Sequence, residues 1–251
     1  MTQRPQKALN AKDGKPLPIY FRLQDIILRD IESGRLSPGS TIPPERRLAE
    51  SYGVSIGTVK KALLNLVNEG YLYRIQGKGT FVTGTTLRRE SLRYYRLLKQ
   101  FGDEEMALSV HLTGLRRVPG TRQINPHLGI KIGQNLFELK RLFSLKKTPV
   151  VLSVSYLPAP LFRGIDKISA SYFEQKTLFA IIEEKFGLPT IYNQELIGAG
   201  VPPLEAAQTL KISKNHPVLF IEMLAFTYRD RPYEYRRAYC VSNSLKIFRQ
   251  Y

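Results

Sequence analysis

Three stretches follow one another closely: Ile42-Pro43-Pro44-Glu45-Arg46-Arg47-Leu48-Ala49, then Gly53-Val54-Ser55-Ile56-Gly57-Thr58-Val59-Lys60-Lys61-Ala62-Leu63, then Gln76-Gly77-Lys78-Gly79-Thr80-Phe81-Val82. Pro44 suits the first position of a helix, where a missing N–H costs nothing, and Glu45 meets the positive end of the helix dipole. Gly53 can take the positive φ that ends this helix. Ser55 is a good N-cap for the next one, in which Val59, Ala62, Leu63, Leu66 and Val67 recur at i, i+3, i+4, i+7 and i+8. That face is core. The opposite face, opening with Ser55, Ile56, Gly57, Thr58, Lys60 and Lys61, offers small, hydroxyl and cationic groups that suit a major groove.

Working outward, an earlier helix is expected over 18–33, with Tyr20, Leu23, Ile27 and Ile31 on one side and Gly34 after its end. Tyr71 to Ile75 has strand composition, and Thr80-Phe81-Val82 can pair with it across Gln76-Gly77-Lys78-Gly79. That tip combines little side-chain bulk, exposed N–H groups and one cation, which fits close approach to a phosphate backbone or a minor groove. Three helices and a hairpin make a winged helix-turn-helix, and its expected partner is double-stranded DNA.

Residues 17–83 resemble the N-terminal domain of the GntR family of bacterial transcription regulators, through Pro43 to Ala49, Gly53-Val54-Ser55, Thr58-Val59-Lys60 and Gln76 to Val82. The resemblance implies that Arg46 touches backbone and base edges from the second helix. By the same resemblance Ser55, Thr58 and Lys60 read from the recognition helix, and Gln76, Gly77, Lys78, Gly79 and Thr80 contact DNA from the wing. One departure stands out: where the family usually has a basic residue, this chain has Ile56 followed by Gly57. Isoleucine can meet a thymine methyl but cannot make the two-pronged contact of arginine to guanine, so an altered operator is expected.

Composition agrees. The chain of 251 residues holds 38 Lys and Arg against 21 Asp and Glu, a net charge of +17, which implies attraction to a polyanion. No apolar stretch is long enough to span a bilayer and no signal-peptide pattern is seen, so a cytoplasmic bacterial protein without membrane attachment is expected. The single Cys240 permits no internal disulfide, and His111, His127 and His216 lack metal-ligand spacing, so no metal is expected. Residues 1–16 are polar and read as an arm. The change to Thr-, Arg- and Leu-rich sequence over 84–97 reads as a linker, leaving 98–251 for a second domain.

That second domain contains a repeat. Leu136 to Phe143, a charged turn at Lys146-Lys147 and the strand-like Val150 to Tyr156 are echoed 83 residues later by Leu219 to Phe226, Arg229-Asp230 and Tyr233 to Tyr239. Each copy reads as two strands joined by a charged turn, with helices over about 177–186 and 203–210 between them. An α+β domain follows, an antiparallel sheet covered on one side.

Residues 95–248 resemble the effector-sensing UTRA domain of the HutC subfamily, through the repeated turn-and-strand units, Ser155-Tyr156-Leu157-Pro158, Thr177-Leu178-Phe179 and Asp230-Arg231-Pro232-Tyr233-Glu234-Tyr235. Such domains are similar to the chorismate lyase fold, bind small molecules and dimerise. Carried over by position, Arg141 would bind an anionic group with help from Thr177 at a helix start, where free N–H donors face outward. Glu234 would accept hydrogen bonds from ligand hydroxyls, and Phe179 and Tyr239 would form walls. Three positions depart from the family pattern: Phe143 replaces a second arginine, Ser153 a carboxylate, and Phe179 a tyrosine. The implied pocket has lost charge and gained apolar area, which argues against a phosphosugar.

The expected function is a homodimeric, ligand-responsive repressor of a metabolic operon, acting on a pseudo-palindromic operator. Its effector is expected to be a small molecule of anionic character. The second domain shows no nucleophile–base pair, metal cluster or phosphate loop, so neither catalytic residues nor a cofactor are expected. Two alternatives remain open at the level of sequence: a chorismate-lyase-like enzyme carrying a DNA-binding head, and an architectural DNA-binding protein with no effector.

Overall fold

The structure is a computed structural model that describes residues 18–84, 97–98, 107–241 and 246–247. The expected arm at 1–16 and most of the expected linker lie outside the described residues. The chain forms two compact units, one ending at Gly84 and the other beginning at Thr85.

In the first unit, α1 (Ile19–Glu32), α2 (Glu45–Tyr52) and α3 (Ile56–Asn68) surround a core of Leu23, Ile27, Ile31, Leu48, Val59, Ala62, Leu63 and Leu66. Pro44 stands just before α2 as its cap residue, in extended conformation, one place earlier than expected. Gly53 ends α2 with φ 64° and ψ 38°, and Ser55 caps α3 by accepting from the Thr58 N–H at 3.1 Å. The buried Gln24 of α1 donates to both oxygens of Glu69, at 2.9 and 3.0 Å, and accepts from Asn65 at 3.3 Å. This polar link fixes α1 against the end of α3 at one register, which an apolar contact alone would not do.

The wing is the hairpin of β1 (Leu72–Ile75) and β2 (Gly79–Val82), with Tyr73 and Phe81 stacked at 5.3 Å between centroids. Gly77 and Gly79 have φ of 74° and 122°, and no atom lies within 4 Å of a Cβ built on either. Backbone conformation rather than crowding therefore calls for glycine at both.

The second unit centres on a six-stranded antiparallel sheet. Its strands are β4 (Ser109–Val118), β5 (Leu136–Leu145), β6 (Thr148–Pro158), β7 (Tyr192–Gly200), β8 (Val218–Thr227) and β9 (Arg231–Cys240), in the order β4-β5-β6-β9-β8-β7. A separate short ladder joins β3 (Leu97–Leu98) to β10 (Lys246–Ile247). On one face lie α4 (Ala170–Gln175) and α5 (Leu178–Phe186), where Phe173, Phe179, Ile181 and Ile182 pack on Phe137, Leu139, Val151, Ile221 and Ala238. Cover is not confined to that face. On the other, α6 (Leu204–Leu210) sets Ala206 and Leu210 on Leu152 and Val154, and a 3-10 turn at Asn125–Leu128 sets Leu128 near Leu136 and Tyr235.

The repeat extends to three strands. β4-β5-β6 and β7-β8-β9 are equivalent meanders related by a pseudo-dyad through the facing pair Val154 and Arg237. Strand registers correct the repeat spacing on the first hairpin arm: Leu152 corresponds to Tyr235, 83 residues on, but Leu142 opposite it corresponds to Leu224, only 82 residues on. The turn explains the slip. Lys146-Lys147 is a two-residue connection, whereas Tyr228-Arg229-Asp230 is one residue longer. Because side chains alternate faces, that one residue decides which positions share a surface.

Candidate nucleic-acid interface and ligand pocket

The start of α3 holds Ser55, Ile56, Gly57 and Lys60 in exposed positions, with Thr58 half-buried. Ile56 is 44% exposed, high for a large apolar side chain and in keeping with a residue that awaits a partner. The Ser55 and Thr58 hydroxyls lie 2.9 Å apart, so both also serve the helix cap. Arg46 is exposed on α2, with its Nε 3.4 Å from Glu50 one turn on. A solvated pair of this kind is worth little and yields readily to a phosphate or base. Lys61 lies with Nζ 4.1 Å above the Tyr20 ring, which directs it toward α1.

Between the wing and the start of α2 runs an open groove of about 1010 Å³, lined by Ile42 to Glu45, Arg47, Arg74 and Gln76 to Thr80. Arg74 pairs with Glu45 at 3.0 Å and ties the wing to α2. The wing residues named from sequence thus share one cleft with Arg47, which the sequence reading passed over although it stands beside Arg46.

The sheet face beneath α5 gathers most of the other named residues. Register sets Arg141 of β5 opposite Ser153 of β6, and Ser155 opposite Arg236 of β9. Arg141, Ser153, Ser155, Glu234 and Arg236 are all at most 4% exposed. Phe179 reaches down from α5 to within 5.0 Å of the Arg236 guanidinium, and Phe143 lies 5.5 Å from that of Arg141. Thr177 caps α5 by accepting from the Ala180 N–H at 3.2 Å and is itself exposed.

Arg236 is the residue that sequence reasoning missed. Its Nε and Nη2 donate to the two oxygens of Glu234 at 2.7 and 2.9 Å, and Nε lies 3.3 Å from Ser155 Oγ. Both Glu234 oxygens are therefore engaged by a protein cation, whereas the sequence reading reserved them for ligand hydroxyls. The signal was present: residues i and i+2 on a strand share a face, so Glu234-x-Arg236 should meet. Ser153 Oγ is fully buried on the same face and has no hydrogen-bond partner among the described residues.

Tyr239 does not join this set. It lies on the opposite face, against Leu152, Val154 and α6, because it alternates with Ala238 and Cys240, which point to the α5 side. Its neighbours there form a second polar network. Tyr235 donates to Glu222 at 2.5 Å, Arg237 Nε lies 3.1 Å from the same carboxylate, and Tyr156 donates to Glu138 at 3.3 Å. Desolvation pushes Tyr156 and Tyr235 up to about 12, and the Tyr235 hydroxyl holds the Glu222 carboxyl below its ordinary value.

Residues 19–82 match the family model described as bacterial regulatory proteins, gntR family, and residues 103–246 match the UTRA domain. The HTH-type transcriptional regulator YurK of Bacillus subtilis (strain 168), itself uncharacterized, is 31% identical over 223 residues, covering 88% of this chain and 90% of YurK. The HTH-type transcriptional repressor NagR of the same organism is 26% identical over 230 residues, covering 92% and 93%. Among solved structures, that of YydK from Bacillus subtilis covers 94% of this chain and 100% of its own at 20% identity, with a TM-score of 0.52. The exposed recognition helix with its wing, the buried polar set on the sheet and these matches together place the chain in the GntR family of transcriptional regulators, as a winged-helix DNA-binding protein with a UTRA effector domain in the HutC arrangement.

Proposed function

We propose that the chain is a cytoplasmic, homodimeric repressor whose two winged heads bind the half-sites of a pseudo-palindromic operator, and whose second unit is a sensor rather than a catalyst. Ser55, Ile56, Gly57, Thr58 and Lys60 read base edges, Arg46 and Arg47 approach from α2, and Gln76 to Thr80 follow the backbone. A relative named as a repressor, NagR, supports the sign of the regulation.

One observation supports the sensor reading: two guanidiniums, one carboxylate and two serine hydroxyls, that of Ser153 without a hydrogen-bond partner among the described residues, are buried in a largely apolar layer. Burying such charges costs several kcal/mol per ion, so their retention favours a role in binding. Among the described residues the two guanidiniums, Arg141 and Arg236, are the groups suited to an acidic ligand. The effector is therefore a small anion with an apolar body: Arg141 and Ser153 take its acidic group, Phe143 and Phe179 flank its carbon skeleton, and the Glu234–Arg236 pair receives its polar end. Effector binding changes operator affinity only through different affinities for the DNA-competent and incompetent states.

Thermal-shift screening of the full chain against small carboxylic and phosphorylated acids, followed by mobility shift on selected operator DNA, tests this. A monoanionic carboxylate should raise the melting temperature and change operator affinity. Stabilisation by phosphosugars alone would overturn the effector class, and no preference among duplexes at physiological ionic strength would overturn the assignment of the reading surface.

A further inference from the structure

One end of the six-stranded sheet carries cations that neither the reading head nor the buried polar set employs. Over 106–137 the chain has four Lys or Arg, at Arg116, Arg117, Arg122 and Lys131, and no Asp or Glu. The loop after β4 sets them out. Asn125, fully buried, donates to the Lys131 carbonyl at 2.6 Å and to the Gln134 carbonyl at 3.1 Å, while Ile124 and Leu128 pack with Leu136 and Tyr235. Gly120 makes room for that asparagine, since an added Cβ would come within 2.1 Å of its amide. The loop is thereby folded into a fixed platform, with its apolar and amide groups inward and Arg122 and Lys131 exposed. The start of β9 brings a further cation: Pro232 has its Cγ 4.0 Å from a Cβ built on Gly129, and Arg231 beside it is exposed.

Arg116 is taken by Glu138 at 2.8 Å. Arg117, Arg122, Lys131 and Arg231 are exposed and have no carboxylate partner among the described residues. Asp230, next to Arg231, accepts from the Tyr192 hydroxyl at 3.0 Å. Charges on an edge strand discourage strand pairing, which accounts for Arg116 and Arg117 on β4, but Arg122, Lys131 and Arg231 lie off that strand. Like charges left without counter-charge raise the local potential, and that attracts a polyanion.

We propose that this end of the second unit is a further DNA-binding surface, which holds the sugar-phosphate backbone of a duplex without reading its sequence. Arg117, Arg122 and Arg231 offer forked donors to phosphate oxygens and Lys131 a point charge. Double-stranded DNA is the polyanion these facts favour over an anionic membrane. The winged head holds the same chain on a duplex, so the second unit meets DNA at a raised effective concentration and even a weak contact counts. The inference rests on DNA binding by the head and adds a contact outside it.

The test uses the full chain and two duplexes, the selected operator alone and the same operator extended on both sides. For the wild type, extension should tighten binding and steepen the fall of log affinity with log salt. The triple variant Arg117→Gln, Arg122→Gln and Lys131→Gln should lose that gain, its slope on the extended duplex being shallower by about three, with affinity for the operator alone and melting temperature unchanged. Lys146→Gln with Lys147→Gln, in the turn at the far end of β5, should leave the slope as it is. If the triple variant melts early, Arg122→Gln alone should still flatten the slope by about one. A wild type that gains nothing from extension, or a triple variant that keeps the gain, overturns the surface and leaves the head's reading intact. Capture of the wild type but not the triple variant by phosphatidylglycerol vesicles, with no gain from extension, overturns DNA as the partner in favour of a lipid surface. Failure to bind either duplex overturns both readings.

Discussion

Arg236 and Glu234 face each other in a layer where almost every neighbour is apolar, so neither charge has water to fall back on. Glu234→Ala takes away the buried carboxylate that accepts from Nε and Nη2 of Arg236 and is expected to cost about 3–5 kcal/mol in denaturant unfolding. Glu234→Ala combined with Arg236→Met removes both charges and should recover much of that loss. Arg141→Ala is expected to abolish the thermal shift given by the effector while leaving operator affinity unchanged without it. Lys60→Ala should act in the opposite sense, weakening operator binding by about 1–3 kcal/mol with no effect on effector stabilisation. On the other sheet face, the Tyr235 hydroxyl depresses the Glu222 pKa. A carboxyl depressed on folding contributes stability above its unfolded pKa and loses it as pH falls through the folded value. Tyr235→Phe should therefore shift the acid-unfolding midpoint upward in pH and raise the Glu222 titration seen by NMR.

Helix α3 begins at a serine whose side chain caps it, and its apolar period is unbroken, so its existence and orientation could be read from residues alone. The same holds for α5, framed by Thr177 and Gly187, and for the central strands β5, β6, β8 and β9. Local chemistry gave little sign of β4 and β7, which bury only part of one side and contain glycines at positions where a strand signal would be strongest. The sharing of faces was less legible still. Tyr239 and Arg236 were misplaced or missed because strand parity depends on register, and register depends on turn length. Lys146 and Lys147 take φ of 47° and 70°, a left-handed pair for which Asn-Gly is the favoured sequence. Replacing Lys146→Asn and Lys147→Gly is expected to stabilise the second unit by about 1 kcal/mol, read as a higher urea midpoint.

Across the whole chain, basic residues outnumber acidic ones far beyond the needs of one recognition helix. Operator affinity should therefore fall linearly with the logarithm of salt concentration, and Lys78→Ala in the wing should reduce that slope by about one while leaving sequence preference unchanged. The duplicated meander of the second unit bears on stoichiometry. Its two halves share strands and turns but not polar furniture: Arg141 has Met223 as its counterpart, and Glu234 has Val151. A symmetric frame thus carries a lopsided set of buried charges, so a calorimetric titration should saturate at one small molecule per polypeptide, not two.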